Sequence, residues 1–320
     1  MFPDQGDAAF DYVRLKYLAA YAEHVGRDVV LYASAWTQGP IEDHNLWSIR
    51  DEDMQALMEV IHGLRGPNLD LIIHSPGGSP EVTESIVHYL RLKFRHIRAV
   101  IPQAAMSAAS MLACSCDEIV MGKHSCLGPT DLQVPILTRN GYTYVPAQAV
   151  IDEFTRAREE CADPNDYGAL NVWRPILEQY PPTLVQQCYD FQQLSRDLVS
   201  EWLASWMFAN RDDREELARD IAGKLVSHGD HKSHNRRIPR ETLVDYGVKV
   251  ISLEADQVMQ DLLLSVFHAT TLTFANQPVA KIVENHQGRV YTCFSSQLQA
   301  QASAPSNTAE PDYVEADDAT

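Results

Sequence analysis

From Asp28 to Gly122 the chain alternates runs suited to strands with runs suited to helices, and this alternation limits the fold more than any other feature. DVVLYASAW, from Asp28 to Trp36, is rich in β-branched and aromatic residues. IRDEDMQALMEVIHGLRG then carries Met54, Leu57, Met58 and Ile61 at helical spacing, with Gly63 and Gly66-Pro67 ending the helix. LDLIIH, Leu69 to His74, is a buried-type strand; after the turn SPGGSP, a second amphipathic helix places Val82, Ile86, Val87 and Leu90 inward. A third strand begins at Ile97, a small-residue helix runs from about Met106 to Cys114, the strand EIVMG follows, and Gly128-Pro129 makes a turn. Such alternation predicts a parallel, layered α/β core.

The pattern changes after about Tyr144. Ala147 to Cys161, Thr183 to Phe208 and Arg214 to Val226 read as long helices with no strand between them. VKVIS near Val248 reads as a return to a sheet edge. Ala255 to Phe274 reads as a last amphipathic helix, and KIVEN and RVYTCF as a short strand pair turning at Gly288. The expected organisation is an N-terminal helical segment (1–27), a catalytic-type core (28–135), a helical excursion (136–226), and a return to the core with a C-terminal helix (227–295). An acidic tail (296–320), polar and rich in small residues, is expected to be disordered.

With 44 acidic against 26 basic residues and a formal charge of −18, a phosphate backbone would be repelled, so nucleic acid is not expected as a partner. No run reads as the roughly 18 apolar residues of a membrane span, and the first residues lack the pattern of a signal peptide. The expectation is a cytoplasmic protein with no membrane role. Six scattered cysteines predict free thiols, and Cys114 and Cys116 do not have CxxC spacing.

Two segments point to chemistry. In SPGGS, Ser75 to Ser79, adjacent glycines between a buried strand and a helix can present main-chain N–H groups to a developing negative charge. In AAMSAASMLA, Ser107 opens a helix of small residues, where the N–H of Ala108 and the positive helix end favour an oxyanion; Ser110 is a rival on the same helix. A serine hydroxyl needs a base, and SHGDHKSHN offers His228, His231 and His234, with Asp131 of LGPTDLQ as a possible orienting acid. A solvated loop, a three-histidine metal site, and a serine–lysine dyad with Lys224 or Lys232 are the other readings of that stretch. The metal reading is weak, because the spacing fits one helical face only roughly and no cysteine is near, so no metal or cofactor is expected.

HSPGGSPEVTESIVHYLR followed by PQAAMSAASMLACSCDEIVMGKHSCLGPTDLQ resembles the ClpP-like serine proteases, most closely the serine dehydrogenase proteinase family, and more distantly signal peptide peptidase A. The likeness is densest from Val29 to Val134 and extends loosely to about Leu253. The resemblance implies an α/β fold of the ClpP/crotonase type, a spiral of ββα units with an added helical segment. It implies Ser107 as nucleophile, oxyanion donors at Gly78 and Ala108 with Gly77 shaping the turn, and the order serine, aspartate, histidine carried to Asp131 and to His234 in SHNRRIP. Here Arg236 and Arg237 stand where the family has an aromatic residue and proline, which keeps His231 and His228 as alternative bases. A membrane helix found in archaeal members has no counterpart in the opening residues, so a membrane-bound role does not carry over. The implied activity is peptide-bond hydrolysis on a peptide or protein substrate, in a homo-oligomer, with a partner ATPase or adaptor as a possible feeder. A scaffold that kept the fold without the chemistry, and a crotonase-type acyl-CoA enzyme, are the competing readings.

Overall fold

The computed structural model describes residues 8–38, 44–138, 141–163 and 165–295, and the expected acidic tail lies outside them. A seven-stranded sheet forms the centre. Five strands are mutually parallel: β1 (Asp28–Ser34), β2 (Asn68–His74), β3 (His96–Ile101), β5 (Glu118–Met121) and β10 (Val250–Ser252). Two antiparallel strands, β11 (Val279–Asn285) and β12 (Val290–Phe294), extend it beyond β1, giving the order β10-β5-β3-β2-β1-β11-β12. This is the mixed α/β, ClpP-like architecture expected from the sequence.

Both faces of the parallel strands are covered, which is why they read as continuous apolar runs. Val30, Tyr32, Leu69, Leu71, Ile73, Ala99 and Ile119 face a core shared with α3 (Asp51–Ile61), α4 (Pro80–Lys93) and α5 (Ala108–Cys114). The alternate positions Val29, Leu31, Ile72, Val100 and Val120 face α1 (Ala8–Val25) and α12 (Gln257–Asn276), which pack along each other. Residue parity along each strand therefore sorts side chains between two helical layers.

A small second sheet of β4 (Ala104–Ala105), β6 (Cys126–Leu127) and β9 (Ile238–Pro239) stands where the parallel strands end. β3 runs into β4 and then α5, and β2 runs through a bridge from Ser75 to Ala105 into α4, so strand, short strand and helix recur as a unit.

Three expectations need correction. The excursion expected to be helical from residue 136 opens instead on a hairpin, in which β7 (Gln133–Thr138) and β8 (Gly141–Pro146) pair antiparallel. The excursion that follows is helical, through α6 (Ala147–Glu160), α7 (Tyr167–Leu177), α8 (Leu184–Trp202) with a π-turn at Leu203–Met207, and α9 (Arg214–Val226); α7 was not expected and contains Pro175. Finally, α12 is long and apolar enough to cross a membrane by length and composition, contrary to the sequence reading. In the fold, its Met259, Leu263, Val266 and Phe274 are buried against α1 and the sheet. All six cysteines are free, as expected.

Candidate active site

The glycine turn begins where β2 leaves the large sheet. Main-chain bonds from Ser75 N–H to Ala104 O (3.2 Å) and from Met106 N–H to Ser75 O (2.9 Å) fasten it to the segment that leads into α5. Gly77 has φ +97°, and a Cβ there would lie 2.7 Å from the Cβ of Ser107 and 2.8 Å from the Ala108 nitrogen. Only glycine allows this approach. Gly78, at φ +155°, sits so close to the Ile49 main chain that any Cβ would collide with it. Ile49 N–H donates to Gly77 O (2.7 Å) and Ser79 N–H to Ile49 O (2.9 Å), which leaves the Gly78 N–H without a protein acceptor among the described residues. Ser79 then caps α4 by accepting from Val82 N–H at 3.1 Å, with Pro80 in the first turn.

Ser107 lies between β4 and α5 with φ +51° and ψ −124°, a conformation that a non-glycine residue adopts only under constraint. Its side chain is nearly buried at 8 % exposure, lines the cleft, and makes no hydrogen bond among the described residues. The Ala108 N–H, at the mouth of α5, likewise has no protein acceptor among them. Ser110, the rival, is structural: its Oγ donates to Ala105 O at 2.7 Å and accepts from Gly128 N–H at 2.9 Å, fully buried.

Across the cleft, His234 Nδ1 is 2.8 Å from Asp131 Oδ1, with Asp131 almost wholly buried. The helical excursion holds this acid in place. Thr130, its neighbour, donates its N–H to Leu225 O of α9 (3.0 Å) and accepts from Ser195 Oγ of α8 (2.7 Å). Pairing of Ile238 with Leu127 brings the His234 segment alongside. With Nδ1 engaged by a carboxylate, Nε2 is the nitrogen left to face a substrate. The structure thus brings Ser107, Gly77, Gly78, His234 and Asp131 together, the first four on one cleft of about 690 Å³.

His231, Lys224 and Lys232 are engaged or exposed elsewhere. His231 is buried, with Nε2 2.8 Å from Lys224 O, so it fastens the helical turn α10 (His228–His231) to the end of α9. Lys224 pairs with Asp220 at 2.7 Å and lies over the Tyr246 ring. Lys232 is exposed, and the side chain of His228 lies outside those described. Among the described residues no cluster of three His, Cys, Asp or Glu side chains could hold a metal ion. The Ser195 and Leu225 props to Thr130 were missed from sequence, where one hydroxyl and one carbonyl leave no pattern to find.

Residues 49–165 match the family model of ClpP-like SDH-type serine proteinases, which bears out the resemblance over that segment. Two proteins of Methanocaldococcus jannaschii are similar over shorter stretches. Uncharacterized protein MJ1495 is 34 % identical over 95 residues, 30 % of this chain and 30 % of its own length. Uncharacterized protein MJ0137 is 32 % identical over 84 residues, 26 % of this chain and 29 % of its own. The chain therefore spans less than a third of the length of these curated relatives. Among solved structures, a mutant of the 1510-N membrane-bound stomatin-specific protease superposes with a TM-score of 0.37 at 10 % identity, covering 63 % of this chain and 74 % of that one.

Proposed function

We propose that the protein is a serine endopeptidase in which Ser107 forms an acyl-enzyme. His234 Nε2 takes the Ser107 proton as Oγ attacks the peptide carbonyl, and Asp131 holds the imidazole in the tautomer this requires and stabilises its charged form. The N–H groups of Gly78 and Ala108 receive the oxyanion; His234 then passes its proton to the departing amine, and a water activated by the same nitrogen releases the acid. The observation that carries this reading is the pairing of a strained serine with two main-chain donors that have no protein acceptor among the described residues, on the cleft that also holds a carboxylate-oriented histidine.

Ser107 Oγ makes no hydrogen bond to His234, which is what a catalytically inert scaffold would also display. Substrate-free enzymes commonly hold this contact loose and close it on binding, so the peptidase reading stands. The test is labelling with a fluorophosphonate. The wild-type chain reacts at one serine, and Ser107→Ala folds but neither reacts nor cleaves a denatured protein. Equal labelling of the two proteins refutes the assignment.

A further inference from the structure

We propose that the outer face of the β7–β8 hairpin is a docking platform for apolar segments of an unfolded polypeptide substrate, continuous with the cleft at Ser107; the proposal deepens the peptidase reading and rests on it. The register pairs Pro135 with Tyr144 and Leu137 with Tyr142, and strand parity puts all four on one face. The opposite face carries Val134 and Ile136, buried with Val150, Ile151, Leu184 and Cys188 of α6 and α8. A hairpin with one buried face ordinarily turns polar residues to water on the other. Here Leu137 is 63 % exposed, Tyr142 74 % and Tyr144 62 %.

Continuity identifies the occupant. Pro135 and Tyr144 also line the cleft with Leu132 and Phe191, beside Gln133 at the inner end of the same face, so a mostly apolar surface runs from the cleft outward to Leu137 and Tyr142. What the described residues of this face offer a partner is Pro135, Leu137, Tyr142 and Tyr144, contacts suited to apolar side chains. A folded substrate has such side chains buried, whereas an unfolded chain presents them along an extended backbone that can lie across both strands.

The test separates docking from chemistry. In the Ser107→Ala background, fluorescein-labelled, reduced and carboxymethylated α-lactalbumin should bind, and Leu137→Ser with Tyr142→Ser should weaken its Kd at least about tenfold. With Ser107 intact, the same double change should raise KM for that polypeptide while leaving fluorophosphonate labelling at the wild-type rate. Unchanged Kd overturns the platform whether or not the chain is a hydrolase. A double variant that sediments as a smaller species than wild type also overturns it, since the face would then cover a second copy. Wild-type protein that binds the polypeptide yet never reacts with the probe supports the platform and removes the peptidase reading instead.

Discussion

Below the glycine turn lies a buried ion pair whose loss should be felt in both stability and reactivity. Lys281 Nζ of β11 is 2.7 Å from both carboxylate oxygens of Asp53 and donates to Ser48 O at 2.8 Å; each residue is about 1 % exposed. Asp53 Oδ2 also accepts from Tyr32 Oη (2.9 Å) and from the Arg50 N–H (2.9 Å). Burial holds the Lys281 pKa below its ordinary value even with Asp53 pulling it up. Residues 48 and 50 are thus pinned from beneath, and Ile49 between them is the strand-like partner of Gly78.

Asp53→Ala leaves an ammonium group in the core with only the Ser48 carbonyl and the face of the Tyr32 ring, 5.7 Å away, beside it, and the expected loss is about 3–5 kcal/mol. Lys281→Met costs less, roughly 1–3 kcal/mol, because the carboxylate keeps Tyr32 and the Arg50 N–H. Asp53→Asn with Lys281→Met removes both charges at similar volume, and should recover most of the stability lost by the more damaged single variant. Urea unfolding at pH 7 followed by circular dichroism reads these values. The recovered double variant should still label more slowly with a fluorophosphonate, about tenfold, because the tie from Lys281 to Ser48 is gone. An Asp53→Ala protein within about 1 kcal/mol of wild type would refute the reasoning, since a desolvated lysine cannot lose its counter-ion so cheaply.

Gly78→Ala should reduce fluorophosphonate labelling by roughly a hundredfold or more, because the new Cβ meets the Ile49 main chain and moves the donor; a variant that labels at the wild-type rate would remove Gly78 from the oxyanion assignment. His74, fully buried between Trp36 and Phe267, has its pKa pushed by burial from 6.5 down to about 3. It stays neutral in the fold while the unfolded chain takes up a proton below pH 6.5, so its contribution is complete above that pH and shrinks at about 1.4 kcal/mol per unit as pH falls toward 3. Urea midpoints measured between pH 6 and 4 should fall less steeply for His74→Leu than for wild type, by about one proton's worth of slope; parallel curves would contradict this account.

The parallel strands could be read from sequence because each is an apolar run bounded by turn residues, and burial on both faces is what such runs require. The position of β11 could not. KIVEN contains Lys281 and Glu284, charges that suggest a surface, yet every residue of β11 is buried beside β1. Those charges are satisfied by Asp53 and by Arg14, partners more than two hundred positions away that no local pattern discloses. The hairpin hid for the opposite reason, since its exposed aromatic face blurred the alternation by which a half-buried strand is recognised. Ser107 and the glycines stood out because close main-chain approach demands particular residue types. Which histidine meets Asp131 depends on the pairing of β9 with β6, a contact made by two residues.

Three non-glycine residues among those described have positive φ, and of these only Ser107 faces the cleft. Such a conformation costs on the order of 1–3 kcal/mol and persists only where its surroundings over-determine it. They do so here: the Ser75 main chain grips Ala104 and Met106 on one side, Ser110 Oγ joins Ala105 to Gly128 on the other, and Gly77 lacks the Cβ that would push Ser107 away. A merely structural turn ordinarily pairs its donors within the protein. Among the described residues, the N–H groups of Gly78 and Ala108 have no protein acceptor beside the strained hydroxyl. Strain and free-facing donors at the same point are what the proposed oxyanion would use, and that is why the serine, rather than the histidine pair across the cleft, anchors the peptidase reading.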